Sequence, residues 1–483
     1  MDDWKTAFAE QWDAVILGTG MKECLLSGLL SVAGKKVLHL DRNPFYGGDS
    51  ASLDIHQFFE KFGVDGKPDE AELGKLRDYS IDLIPKFMMA GGQLVKVLIH
   101  TGVHNYMEFK PVDGSFVFSS SVKKVCKVPA TPEDAMKSSL MSMMEKTKMM
   151  QFTLWVRKVK LSDRSTWKAG TISKTTLALD TMTGDKFFGY WGLGKSTVEF
   201  LTHSCALYRD ESFRSRPAIE IVKRMQLYLD SMTRFAGMTS PYLYPLYGLG
   251  ELPQSFARLA AVHGGVYMLN RGDDDGPVFG EGKFEAVYGE GGAAVGVKVK
   301  ETVANAKCVI ADPSYFPDLC EKKGTVIRAI AIVNAPIEGT EKSAAASHQV
   351  IFPGASLGRA NDVYLFYCSA SHKVAPEGKY IVFISTNVEG PTEPGMSTAA
   401  LAERELAGGL AVLRGVVRIF YDQYDEMVPK ADGLKDKIFL TKSFDPTSHF
   451  ETAITDVLEV YQRITGEALV LTDGTEGGAA EVS

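Results

Sequence analysis

A glycine turn between two apolar runs constrains this chain more than any other feature. Ala14-Val15-Ile16-Leu17 is short and rich in β-branched residues, and it ends in Gly18-Thr19-Gly20. An apolar run of that length, closed by glycine, reads as a buried parallel strand entering a tight turn. Leu25, Leu26, Leu29, Leu30 and Ala33 then recur at helical spacing, and Gly34 supplies the stop. Val37-Leu38-His39-Leu40-Asp41 is a second apolar strand. Strand, turn, helix and strand make a βαβ unit with a right-handed crossover, which predicts an α/β main domain.

Further elements are legible downstream. Thr131-Pro132-Glu133-Asp134 carries helix-start chemistry: threonine at the N-cap, proline at the first helical position and acids in the first turn. The stretch from there to Met150 holds six of the 18 methionines: Met136, Met141, Met143, Met144, Met149 and Met150. A second amphipathic helix is predicted over Ala218 to Phe235, with Ile221, Met225, Leu229 and Met232 on one face. Residues 151–200 show no clean period. Strand-like runs return at Gly265–Leu269, Val326–Ile332 and Tyr380–Ile384, and Asp456 to Ile464 reads as helix. The predicted organisation is a main domain from 1–120 and 239–472 interrupted by a helical domain at 121–238. A glycine- and acid-rich tail at 473–483 is expected to be disordered.

Composition narrows the function classes. A net charge of -7 leaves no basic excess to displace counterions from nucleic acid. No uninterrupted apolar stretch reaches the roughly 18 residues that a membrane-spanning helix needs. The opening Met1-Asp2-Asp3-Trp4-Lys5 is unlike a signal peptide, and the closing Glu481-Val482-Ser483 offers no cysteine for prenylation. The six cysteines and nine histidines lack metal-ligand spacing, so neither a metal nor a disulfide framework is predicted, and the cytosol is the expected compartment.

The first turn resembles a dinucleotide fingerprint with one replacement. In GxGxxG the first two glycines make the turn and admit a diphosphate, and the third lets the helix pack closely. Gly18 and Gly20 are present, and Asp41 lies where a ribose-binding acid is expected, but the third position is Glu23. An anion there would repel a diphosphate by on the order of several kcal/mol at about 4 Å. Alternatively, Glu23 points outward as a solvated first-turn acid and merely narrows the site.

From here a family resemblance can be drawn. Leu17–Gly20, Glu23-Cys24, Leu26-Ser27-Gly28 and the run from Gly34 to Gly48 closely resemble Rab GDP dissociation inhibitors. So do Asp82–Phe87, Gly92–Lys96, Ser240–Gln254, Phe256–Leu259, Ala311–Tyr315 and Thr447–Thr452. That family and its sister, the Rab escort proteins, share a fold with flavin-dependent monooxygenases and oxidases but carry glutamate at the third glycine position. The resemblance implies a flavoenzyme-like (FAD/NAD(P)-binding, Rossmann-type) main domain with an inserted smaller α-helical domain, and no cofactor. This chain departs from the family at Phe45, usually a tyrosine, and in a slightly longer loop around Gly237-Met238-Thr239; residues 151–200 match weakly.

Glu251, Gln254 and Arg258, at i, i+3 and i+7, share one face of a short helix. Spacing alone leaves open a solvated face or a binding face. The resemblance implies a Rab-binding platform of Tyr46, Glu251, Gln254 and Arg258, with Val266 and Met268 at its apolar positions. It also implies that Arg234, Ser240 and Tyr242 belong to a mobile loop engaging Rab and membranes. Met136, Leu140, Met143 and Met144 read as core or as an adaptable apolar site. The resemblance implies the latter, a pocket for the geranylgeranyl groups of Rab, completed by Met225 and Leu229. The expected activity is therefore non-catalytic: binding GDP-bound, geranylgeranylated Rab GTPases, slowing GDP release and shielding the lipid during transient membrane visits. The rival readings are a Rab escort protein and, against Glu23, an FAD-dependent oxidoreductase.

Overall fold

The computed structural model of the chain describes residues 3–129, 142–169, 175–270, 279–280, 283–340 and 346–471. The opening βαβ unit forms as predicted: strand Ala14–Leu17, helix Met21–Val32 and strand Val37–Asp41. These strands sit inside a five-stranded parallel sheet ordered Val266–Leu269, Val37–Asp41, Ala14–Leu17, Val309–Ala311, Ile438–Leu440. Both faces of the central strand are covered, which explains its unbroken apolar sequence: Val15, Ile16 and Leu17 expose no surface.

The fingerprint helix Met21–Val32 lies between helix Glu251–Val262 and helix Glu451–Thr465. Gly28 permits the first of these approaches, because a Cβ there would stand 2.9 Å from the Phe256 ring. Above this layer stands a seven-stranded sheet, ordered Val416–Pro429, Cys320–Val333, Tyr380–Asn387, Val363–Ser369, Ser347–Phe352, Gly114–Ser119, Lys124–Lys127. Its strands alternate in the period of two: Ile330 and Ile332 enter one core, Ala329, Ala331 and Val333 the other. Lys124–Lys127 pairs with Gly114–Ser119, so the boundary expected at 121 falls inside a hairpin of this sheet.

The helical segment that follows comprises Met143–Lys158, Gly184–Trp191, Lys195–Phe200 with a π-helical turn at Leu201–Cys205, and Ala218–Met232. The helix start predicted at Thr131–Asp134, with Met136 and Leu140, lies outside the described residues, as does the 473–483 tail. Met143–Lys158 has its own start: Ser142 accepts the Glu145 N–H at 3.3 Å. The stretch without a clean period supplies this segment's core. Phe152 meets Phe187 at 5.6 Å and Trp191 at 5.4 Å between ring centroids. His203 ties the segment to the large sheet, its Nδ1 standing 2.8 Å from Asp362 Oδ2 with both side chains buried.

Candidate binding platform and the cleft beside it

The glycine turn opens onto a cleft of about 1080 Å³. Gly18 has φ +91°, and a Cβ there would stand 2.8 Å from Asp312 Oδ2. A Cβ on Gly20 would stand 2.6 Å from Glu23 Oε2. Glu23 therefore folds back over its own turn and fills the room that glycine leaves. It is only 3% exposed, and its Oε1 accepts the Thr441 hydroxyl at 2.8 Å. Burial, reinforced by the neighbouring Asp312 carboxylate, pushes Glu23 up to about 8. This corrects one sequence expectation: Glu23 is not a solvated first-turn acid, and its burial beside Asp312 favours the protonated carboxyl. The obstruction to a diphosphate is occupancy by a carboxyl group, with Asp312 beside it.

Asp41 is also committed. Its Oδ2 accepts the Thr19 N–H and hydroxyl, both at 2.6 Å, and its Oδ1 accepts the Asn43 N–H at 2.7 Å. An acid holding these donors is spent for ribose recognition. The residues of the turn do not fit a flavin dinucleotide. They hold a loop instead: the Thr19 hydroxyl, donating to Asp41, also accepts the Gly47 N–H at 3.0 Å. Gly47, at φ +101°, follows Tyr46 directly. The Tyr46 ring lies 6.0 Å from that of Tyr267, which stacks on His39 at 4.4 Å.

Helix Glu251–Val262 faces the same rim. Leu252, Phe256 and Leu259 are buried beneath it, each burial contributing roughly 1.5–3 kcal/mol. Gln254 and Arg258 are exposed and Glu251 is half-buried. The Arg258 guanidinium lies 4.7 Å over the Tyr106 ring, a contact across 152 positions that no local pattern signals. Tyr46 and Gln254 both border the cleft. Val266 and Met268, half-buried in the edge strand and paired in register with Leu38 and Leu40, occupy the opposite sheet face from Tyr267.

Two other expectations change. Ser240 is buried and donates to the Val112 carbonyl at 2.7 Å. Tyr242 is fully buried in strand Tyr242–Pro245, where its hydroxyl accepts from Gln349 at 3.2 Å. Neither side chain is available to a partner; Arg234 is half-buried. Among the apolar residues, Met143 and Met144 are 63% and 71% exposed, whereas Met225 is 1% exposed inside the helical core. Leu229 packs half-buried against that core. Met150 and Leu154, 51% and 49% exposed, extend the Met143 face at i+7 and i+11.

Comparison with known proteins follows the same lines. A family model described as GDP dissociation inhibitor matches residues 8–476. Guanosine nucleotide diphosphate dissociation inhibitor 2 of Arabidopsis thaliana is 45% identical over 473 residues, covering 98% of this chain and 99% of that protein. Rab GDP dissociation inhibitor beta of Rattus norvegicus is 42% identical over 458 residues, 95% of each. Among solved structures, a Rab GDI from Plasmodium falciparum superposes with a TM-score of 0.83 at 35% identity, covering 95% of this chain and 99% of that one. An oxidoreductase from Methanosarcina mazei, at TM-score 0.56 and 15% identity over 94% of this chain and 100% of its own, shares the fold alone. The flavoenzyme-like α/β fold expected from the sequence is borne out.

Proposed function

The chain belongs to the GDP dissociation inhibitor family, and from that premise we propose that it binds Rab GTPases in their GDP-bound, geranylgeranylated form. In this reading it slows GDP release, lifts the Rab from its membrane and shields the lipid, without catalysing a reaction. The observation that carries it is the conversion of the dinucleotide turn: Glu23 fills the diphosphate position, and Thr19 uses the turn to hold the Tyr46 loop beside Gln254. An aromatic anchor, an arginine supported on a ring and two amide- or carboxyl-bearing side chains are residue types suited to an interface.

For the lipid, the reading uses the exposed Met143, Met150 and Leu154 face. Flexible apolar side chains adapt to a prenyl chain, and each Å² removed from water contributes about 25 cal/mol. No helix among the described residues is long and apolar enough to cross a membrane. A cytosolic carrier visiting membranes through its cargo accords with that. The test is extraction: purified chain mixed with membranes bearing prenylated, GDP-loaded Rab should bring Rab into the supernatant as an equimolar complex. Rab that stays on the membrane at saturating chain would refute the carrier reading.

A further inference from the structure

A second cavity, about 760 Å³, opens where the helical segment meets the α/β part, away from the platform helix. From the helical side it is bordered by Tyr208, Arg209 and Arg224, and from the other by His449 and the first turn of helix Glu451–Thr465. Its walls contain polar atoms that the protein leaves unsatisfied. Among the described residues, Tyr208 Oη and both ring nitrogens of His449 have no hydrogen-bond partner, although each residue is 3% exposed. Glu451 Oε1 likewise has no hydrogen-bond partner among the described residues. Buried polar groups are ordinarily paired, so such a concentration in one cavity calls for a ligand that pairs them.

Of the two bordering arginines, Arg209 is ion-paired and Arg224 has no ion pair among the described residues. The bordering carboxylates are taken by the chain's own donors: Asp445 by Lys86 at 3.0 Å and by Thr447 and Thr452, Asp456 by Lys22 at 3.0 Å. Glu426 accepts from Asn387 at 3.0 Å, and Glu220 pairs with Arg216 at 3.2 Å. Arg209 forms ion pairs with Asp445 at 3.4 Å and with Glu426 at 3.9 Å, which leaves some of its N–H donors for a ligand. The Arg224 guanidinium donates to the backbone carbonyls of Ala206 and Leu207 at 3.4 and 3.3 Å and lies 4.4 Å over the Tyr208 ring. Arg224 lines the cavity, is exposed, and has no carboxylate partner among the described residues. Helix Glu451–Thr465, 15 residues long, contributes an N-terminus that no side chain caps. Amide donors and the helix dipole favour an anion at such an end. Burial also pushes Glu451 up to about 7, which reduces its opposition to an anion and lets its protonated form donate.

We propose that this cavity binds an oxyanion of the phosphate class, gripped by Tyr208, Arg209 and Arg224 on one side and by His449 and the last helix on the other. The ligand fastens the helical segment to the α/β part, so its presence sets how firmly the two are joined. A phosphorylated lipid headgroup and a free phosphate compound offer the same chemistry.

The test uses the full chain titrated with inorganic phosphate and with inositol hexakisphosphate, against sodium chloride at matched ionic strength. Calorimetry gives the affinity and thermal denaturation the stability. Tyr208→Phe removes a hydroxyl that has no hydrogen-bond partner among the described residues, so its ligand-free melting temperature should equal wild type. Its affinity for the anion, and that of Arg224→Gln, should each fall by about tenfold, the change that one charge-assisted or buried hydrogen bond produces. Equal melting in phosphate and chloride, or wild-type affinity in both variants, overturns the site. Flotation with phosphatidylcholine vesicles carrying a phosphoinositide identifies the source. Flotation that Tyr208→Phe weakens assigns the headgroup, and soluble binding without flotation assigns a free phosphate compound.

Discussion

Thr19 and Asp41 are joined twice, by the Thr19 N–H and by its hydroxyl, both at 2.6 Å from Asp41 Oδ2. Because the same hydroxyl receives the Gly47 N–H, a turn shaped for a dinucleotide becomes the support of the Tyr46 loop. Thr19→Val keeps the shape and the backbone bond from Gly47 N–H to the Thr19 carbonyl at 3.0 Å, but it removes the hydroxyl's share of the bridge and leaves a buried carboxylate short of a donor. It should cost about 1–3 kcal/mol of stability. It should also weaken binding of unprenylated, GDP-loaded Rab, and Thr19→Ser should restore both. Calorimetric binding and denaturant unfolding measure the two effects; wild-type Rab affinity in a destabilised Thr19→Val would show that Thr19 serves the fold alone.

Glu23 should leave a mark on the pH dependence of stability. Burial first, then the Asp312 charge, raise its folded pKa to about 8, against 4.5 for the ordinary side chain. The folded chain thus binds this proton more tightly than the unfolded chain, and stability is lost as pH rises from about 4.5 through about 8. Glu23→Gln, which keeps an acceptor for Thr441, should remove that loss. The variant should match wild type near pH 4.5 and exceed it by on the order of 1–3 kcal/mol above pH 8. Urea unfolding across that range checks it, and parallel pH curves would show that Glu23 stays ionised.

Much of this site was legible because its signals are local. The turn glycines, the helical period after them and the Leu252, Phe256, Leu259 alternation with Gln254 and Arg258 depend on neighbours three or four positions away. What was not legible depends on distant pairing. Tyr106 beneath Arg258, Thr441 on Glu23 and Asp312 behind Gly18 are each brought in from far along the chain. The sheet face of Val266 and Met268, opposite that of Tyr267, is set by parallel register with Leu38 and Leu40. Tyr242 looked like loop and is a buried strand residue, because Gln349 and Phe87 arrive from elsewhere. The Ser142-x-x-Glu145 start was visible in principle but stood within a stretch already read as helix from Thr131.

The lipid reading gives a separable outcome. Leu154 is 49% exposed on the Met143 face, so Leu154→Glu should leave folding intact. A carboxylate in the path of a prenyl chain should reduce extraction of prenylated Rab by about tenfold or more. Affinity for unprenylated, GDP-loaded Rab should stay at the wild-type value, because Gln254 and Arg258 lie on a different element. Equal extraction by this variant, with an unchanged melting temperature, would place the lipid on another surface.

If the converted turn and helix Glu251–Val262 form a surface that holds a Rab in its GDP state, the chain must slow nucleotide release. The most direct measurement is the rate at which a fluorescent GDP analogue leaves a prenylated Rab, with and without the chain. Wild type should slow release at stoichiometric concentration. Arg258→Ala, which removes an exposed side chain lying over Tyr106, should need a higher concentration corresponding to about 1–3 kcal/mol, with unchanged circular dichroism. GDP leaving at one rate with or without the chain, or Arg258→Ala acting at the wild-type concentration, would contradict it.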